Sequence, residues 1–211
     1  MKKKSASKGN SKKAAAKNVA AQATASIDIK FSTPKAFVVY GSEASVSVYT
    51  KRKGNGVAVR VPLILKVGNK TYDKVTSDSF GYAHWNIRTT RALRPGDHEI
   101  LVTFAGDNNF QPSSKTANLT VYIANSALRL EVEPTGNDRY ELRGILRGAG
   151  GEPARKCSLE FIINNKSRGT RKTDDEGVAR FDYHPTAPGN ALTVKFDGNE
   201  FYRATSARKT F

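Results

Sequence analysis

The sequence predicts an all-β protein: two tandem antiparallel β-sandwiches behind a basic N-terminal arm. Three observations predict it. One stretch of chain occurs twice: Gly54, Leu63, Leu65, Asp78, Gly81, Ala83 and Trp85 recur ninety-six positions later as Gly150, Leu159, Phe161, Asp174, Gly177, Ala179 and Phe181. From Ser26 onward apolar residues alternate at period two, in short runs rich in β-branched and aromatic side chains. Turn-forming clusters separate those runs: Gly41-Ser42, Lys53-Gly54-Asn55-Gly56, Gly68-Asn69, Pro95-Gly96-Asp97 and Gly106-Asp107-Asn108-Asn109.

The elements follow in chain order. Residues 1–25 form the arm. They carry Lys2, Lys3, Lys4, Lys8, Lys12, Lys13 and Lys17 and no acid. With almost no large apolar group, they cannot offset the entropy of ordering and are expected to be disordered in isolation. Ala14–Ala16 and Ala20-Ala21 favour helix, but about fourteen residues alone is marginal, so a helix would form there on contact with a partner.

Residues 26–124 form the first module. Ile27 and Ile29 share a face; Val46 and Val48, then Leu63, Leu65 and Val67, repeat the pattern. Ile100, Val102 and Phe104 follow, and Leu119, Val121 and Ile123 close the module. Seven or so short strands in about one hundred residues fit a sandwich. Residues 125–211 form the second module. Its strands are read at Leu128–Val132, Tyr140–Leu146, Leu159–Ile163, Val178–Tyr183 and Leu192–Phe196, with a last strand running to Phe211. The modules meet near Asn125-Ser126 without a Gly/Ser-rich spacer, which predicts limited hinge freedom. After Thr89 the repeat offset falls to ninety-two: Phe104, Gly106, Phe110 and Ser114 match Phe196, Gly198, Tyr202 and Ser206. The second copy is thus four residues shorter around Thr89–Gly96, a slip expected in a solvated surface loop.

These motifs resemble the bacterial and phage immunoglobulin-like repeat domains, the sandwich modules of surface proteins and tailed-phage virion proteins. The residues that carry the resemblance are Val39-Tyr40-Gly41, Asp78-x-x-Gly81-x-Ala83-x-Trp85, and Leu93-x-Pro95-Gly96-Asp97-His98 leading to Phe104-x-Gly106-Asp107-x-x-Phe110. The second copy keeps Gly151-x-Pro153, Asp174-x-x-Gly177-x-Ala179-x-Phe181 and Phe196-x-Gly198-x-x-x-Tyr202. It departs by lacking Asp after Gly198 and by a shorter approach through Pro188-Gly189. The resemblance covers roughly residues 36–124 and 139–211 and implies two immunoglobulin-like antiparallel β-sandwiches with no fixed activity. The fold-defining positions are then Gly81, Trp85, Phe104, Phe110, Gly177, Phe181, Phe196 and Tyr202. Gly81 and Gly177 are expected at turns needing positive φ. Trp85 and Phe181 are expected to fill the inter-sheet core, packed by Phe104 and Phe196.

Charge and composition narrow the function. The net charge is +16 over 211 residues. The arm contributes seven cations, residues 26–125 thirteen against seven acids, and residues 126–211 fifteen against twelve. Such an arm reads as a tail for an acidic partner. The single cysteine, Cys157, excludes an internal disulfide and reads as a buried or edge thiol. No apolar run approaches the roughly 20 residues of a membrane span. The start has a signal peptide's positive beginning without its apolar region, so the expectation is synthesis and retention in the cytoplasm, or release by lysis.

Catalytic chemistry is not legible. His84 alternates with Ala83 and Trp85 and should face solvent; His98 is placed in a turn; His184 has no partner pattern. Thr173-Asp174-Asp175-Glu176-Gly177 offers oxygens for Ca²⁺, but a turn capped by its own Asp is the preferred reading. Gly148-Ala149-Gly150-Gly151 reads as a hairpin loop, not a phosphate cradle. The chain is therefore expected to be non-enzymatic and to need no cofactor or metal.

Three readings follow. In the first, a phage virion protein (capsid decoration or head fibre) docks through the seven arm lysines on an acidic protein surface and displays its sandwiches on the virion surface, where multivalency strengthens weak contacts. In the second, a cytoplasmic protein holds RNA or DNA through the arm, with Arg129, Arg143, Arg147, Arg155, Arg168 and Arg171 extending the basic surface. In the third, an adhesin binds carbohydrate or a host surface through exposed aromatics such as Tyr72, Tyr82 and Tyr202.

Overall fold

The computed structural model describes residues 25–186 and 189–211. The arm lysines, Lys2, Lys3, Lys4, Lys8, Lys12, Lys13 and Lys17, lie outside the described residues, as does Pro188. Among the described residues all regular structure is β. The first module holds β1 (Ile27–Phe31), β2 (Lys35–Val39), β3 (Glu43–Arg52), β4 (Pro62–Val67), β5 (Lys70–Thr71), β6 (Val75–Thr76), β7 (Tyr82–Arg88), β8 (Gly96–Phe104) and β9 (Ser113–Tyr122). The second holds β10 (Ser126–Gly136), β11 (Arg139–Gly148), β12 (Ser158–Ile163), β13 (Lys166–Lys172), β14 (Val178–Tyr183), β15 (Ala191–Phe196) and β16 (Thr205–Thr210).

Each module is two facing sheets. The first pairs a β1-β3-β7 sheet with a β2-β9-β8-β4-β5 sheet; the second pairs β10-β11-β14 with β13-β12-β15-β16. Seven strands correspond in order, β1, β3, β4, β5, β7, β8 and β9 with β10, β11, β12, β13, β14, β15 and β16, while β2 and β6 belong to the first module alone; the shared arrangement is the immunoglobulin one of two layers joined across a core. One pairing departs from the antiparallel expectation: β2 runs parallel to β9, with Val38 opposite Val121. The cause is a break at Ser32–Pro34, after which the chain crosses from the sheet of β1 to that of β9. Pro34 cannot donate to a ladder, so the strand ends there and restarts. The second module has no such break, and β10 runs on through eleven residues.

Alternation places the core. In β7, Ala83, Trp85 and Ile87 are buried while Tyr82, His84, Asn86 and Arg88 are exposed. Leu63, Leu65, Val102, Phe104 and Leu119 of the facing sheet are buried to 2% or less. Trp85 also satisfies its indole N–H, which donates to the Asp73 carbonyl at 2.9 Å. In the second module Phe161 is fully buried. Phe181 departs from its expected role. It lies half-buried on β14, the outer strand of its sheet, stacked on Phe161 at 5.3 Å with the Arg171 guanidinium 4.8 Å from its ring. Phe196 is buried as expected, and Phe110 packs partly buried against the first core.

The repeated Asp-x-x-Gly motif is a self-capped turn. Asp78 Oδ1 accepts the N–H groups of Phe80 and Tyr82, each at 2.9 Å, and Asp174 Oδ1 accepts those of Glu176 and Val178 at 2.9 Å. Gly81 and Gly177 close these turns at φ of +84° and +76°. The same device returns at the β8–β9 and β15–β16 loops. There Asp107 caps Asn109 and Phe110, and Asn199 caps Phe201 and Tyr202. The missing Asp after Gly198 is therefore a replacement by Asn, whose amide oxygen accepts the same two bonds.

Asp174 also meets the Arg180 guanidinium. The Val178 N–H first, and then Arg180, hold its carboxyl below the usual aspartate value. A depressed folded value stabilises the fold above the ordinary aspartate range, and that contribution is lost as pH falls through the depressed value. Asp174→Asn keeps the acceptor oxygen and is expected to cost under about 1 kcal/mol. Asp174→Ala leaves two N–H groups without their cap and is expected to cost about 1–2 kcal/mol. Denaturant titrations from about pH 7 downward check this: the gap between the native protein and Asp174→Asn should close on acidification.

Candidate functional site at the junction of the modules

The two modules are joined by more than a peptide link. Just before β10, Ala124, fully buried, donates its N–H to the Phe201 carbonyl and accepts from Arg203 N–H, both at 2.9 Å, repeating in the second module the parallel bridge that Ala25 makes with Phe110 in the first. Ser126 Oγ donates to the Arg203 carbonyl at 2.7 Å. Tyr40 of the first module is 7% exposed because it sits against two rings of the second: Phe201 at 4.8 Å and Tyr202, edge-on, at 5.5 Å.

The loop before β8 closes over this contact. Arg91 donates to the Arg155 carbonyl at 2.8 Å, Arg94 pairs with Glu200 at 2.9 Å, and both guanidiniums lie over Phe201, at 5.7 and 6.0 Å. The Arg94–Glu200 pair is well exposed and contributes at most about 1 kcal/mol; the buried rings carry the join. This loop is the Thr89–Gly96 segment where the copies differ in length. Its four additional residues, expected to be idle surface, deliver the clamp.

A cleft of about 270 Å³ remains, lined among others by Tyr40, Arg88, Arg91, Glu152, Arg155 and Tyr202. Glu152 belongs to the loop after Gly148-Ala149-Gly150-Gly151, and the glycines give it room: a Cβ on Gly148 would lie 1.8 Å from Glu152 Oε1. Gly150 N–H donates to its Oε2 at 3.0 Å, and Tyr202 Oη donates to Oε1 at 3.4 Å. Burial first, and then the Glu152 charge, raise the Tyr202 hydroxyl far above the tyrosine range; burial raises Tyr40 likewise. Both are hydrogen-bond donors, not bases, near neutrality. Cys157, 2% exposed, stands where the first copy has Val61, and burial raises its thiol. It is expected to react slowly with a disulfide reagent at neutral pH in the folded protein and rapidly in denaturant.

The residues singled out in the sequence are dispersed. His84 is exposed on β7, within 2.9 Å of Ser47 Oγ and of Asn86 Oδ1. His98 is in strand β8, not a turn: its Nε2–H donates to the Arg94 carbonyl at 2.7 Å and steadies the clamp loop. His184 is exposed beyond β14. Among the described residues no cluster of three His, Cys, Asp or Glu side chains could hold a metal, and no helix is long and apolar enough to cross a membrane.

The arginines named for a polyanion surface divide. Arg143 is surrounded by Glu131, Glu133 and Glu141, and Arg129 pairs with Glu131 at 2.9 Å, so these two are neutralised locally. Arg168 and Arg171 lie over Tyr183 and Phe181. Of the aromatics named for carbohydrate, Tyr202 is buried in the junction, Tyr72 is half-buried beneath Lys70, and Tyr82 is exposed beside Tyr49.

Sequence reasoning missed Tyr40, Arg91, Arg94, Glu152 and Phe201 as a group. Two signals pointed there: the length difference at Thr89–Gly96, and glycines around an acid in a loop otherwise short of side chains.

No protein-family model matches the chain, and no curated protein matches it. Among solved structures it is similar to invasin, a bacterial integrin-binding protein, at 14% identity and TM-score 0.55 over 88% of this chain and 39% of that one. It is similar at lower scores to the Yersinia pseudotuberculosis adhesin InvE (15% identity, TM-score 0.42, 88% and 58%). A Parabacteroides merdae β-glucuronidase follows (13% identity, TM-score 0.32, 88% and 25%). The chain thus spans well under two thirds of these proteins. The invasin likeness defines a fold class, tandem immunoglobulin-like sandwiches, and the two lower scores carry no argument.

Proposed function

We propose that this chain is a non-enzymatic structural or binding protein whose Lys-rich N-terminal segment docks on an acidic partner and whose two sandwiches are displayed as one joined unit. The observation that carries this reading is the junction. The Tyr40–Phe201–Tyr202 ring contact and the arginine clamp serve a protein that must hold two modules in fixed relation. The motif resemblance to phage immunoglobulin-like repeats supports a finer form: a virion decoration or head-fibre protein, made in the cytoplasm and carried on the particle surface.

Deleting residues 1–24 tests it. Ala25 is retained because its N–H donates to the Asn109 carbonyl and its carbonyl accepts from Gln111. The truncated protein is expected to keep its melting temperature and lose retention on the native assembly that carries it. Undiminished retention would overturn the reading. A salt titration with random duplex DNA separates the nucleic-acid alternative, which requires binding by the full chain at near-physiological salt. The adhesin alternative is supported by the exposed aromatics of the first module and the fold shared with an integrin-binding protein.

A further inference from the structure

Of the large apolar side chains that the described residues expose, Val57, Ile64, Phe80 and Tyr82 are spread over other strands and turns, and the other four gather around one strand. In β2 both faces are apolar: Ala36 and Val38 turn in, while Phe37 and Val39 turn out at 58% and 39% exposure. The end of β9 does the same. Leu119 and Val121 are buried, Tyr122 is 51% exposed, and Ile123, expected to continue the inward row, is 43% exposed just past the strand. Because β2 and β9 are neighbours, these four side chains form one patch, with Phe37 and Tyr122 stacked at 6.0 Å and 14°. A strand apolar on both faces is the pattern of a strand covered on both faces. Here no described residue supplies the outer cover.

The patch continues into a groove. Val39, Tyr122 and Ile123 meet Asn125, Ala149 and Arg203 around a concavity of about 580 Å³ where the second module abuts the first. Arg203 is the charged side chain of that lining and is exposed. Lys35 stands exposed at the opposite end of β2. β2 is also the outermost strand of its sheet, so one side of its backbone is open to a further strand.

We propose that this surface docks an extended segment of a partner polypeptide whose face toward the patch carries apolar side chains in the middle and an acidic one at each end. The apolar side chains cover the Phe37–Tyr122 stack and enter the groove, and the end carboxylates meet Arg203 and Lys35. Extent and charge select this occupant. The four side chains expose roughly 350 Å², a size at which patches mark binding sites. This is under half of the about 800 Å² per partner that a stable association of folded domains buries, so a second folded copy is undersized for it. The open edge of β2 favours an extended backbone. Cations at both ends, on a chain of net charge +16, favour an acidic segment over a basic one. The inference does not rest on the N-terminal arm.

The test is selection of a displayed random twelve-residue peptide library on the full chain, followed by affinity measurement on two variants. Phe37→Ser/Tyr122→Ser removes the stack at solvent-facing positions; Arg203→Glu reverses the charge. Unchanged melting temperatures show that both variants fold. Selected peptides are expected to carry apolar residues at every second position flanked by an acid at each end, to lose at least tenfold affinity for the double-serine variant, and to weaken on Arg203→Glu. Replacing only the acid at the Arg203 end by lysine is expected to restore binding to Arg203→Glu. Three results would overturn the proposal: no enrichment, peptides that bind the double-serine variant as well as the native chain, or a concentration-dependent dimer in sedimentation that Phe37→Ser/Tyr122→Ser abolishes. The last would assign the patch to a second copy.

Discussion

Tyr40→Ala is expected to destabilise the junction by roughly 3–5 kcal/mol, the range for deleting a large buried aromatic. Tyr40 packs against both Phe201 and Tyr202, at 4.8 and 5.5 Å between ring centroids. Its removal leaves the arginine clamp over Phe201 without the ring on which the first module presses. In calorimetry the native chain is expected to unfold in one transition because the sandwiches share this contact. The variant is expected to show two, the second module melting independently of the first. A single transition at an unchanged midpoint would mean that the modules are only tethered. Arg94→Ala, which removes an exposed pair, is expected to shift stability by less than about 1 kcal/mol.

The second large effect lies at the paired turn glycines. Gly81 holds φ +84°, and a Cβ there would lie 2.3 Å from the Thr50 carbonyl oxygen. That carbonyl belongs to β3, whose Thr50 N–H donates to the Gly81 carbonyl at 2.8 Å, so relief of the clash breaks the contact that closes the turn. Gly81→Val therefore combines left-handed strain, about 1–2 kcal/mol, with a backbone collision. The loss is expected to exceed about 3 kcal/mol. Gly177→Val should act alike in the second module, where the Leu146 carbonyl is 2.6 Å from the built Cβ. Gly54 supplies the control: φ is +99° but nothing lies within 4 Å, so Gly54→Ala carries strain alone and is expected to cost about 1 kcal/mol. Urea midpoints of the three variants check the order, and equal losses at Gly54 and Gly81 would remove the steric argument.

These glycines also show what a sequence can disclose. Asp78-x-x-Gly81 and Asp174-x-x-Gly177 were readable as turns because the backbone requirement is local: one side-chain oxygen, two N–H groups, one positive φ. The alternation of β7 and β8 was readable for the same reason. Three features were not, because each is decided by residues distant in the chain. Phe181 has the sequence position of Trp85, yet Phe161 occupies the core and Phe181 is left at the rim. Ile123 continues an inward row in sequence but lies past the end of its strand. Tyr202, read as core and as a sugar platform, is buried by another module, which no periodicity within its own copy reveals.

The clamp loop gives the tandem a polarity. The longer Thr89–Gly96 segment belongs to the first copy, and so does Tyr40; ninety-six positions on, Tyr40 is matched by Gly136, which has no side chain to offer a ring. Reversing the order of the two halves would leave the leading one with no means of gripping its successor. The copies have ceased to be interchangeable beads: one has become a socket holder and the other its insert, so shuffling or lengthening the series by duplication alone would yield loosely strung neighbours.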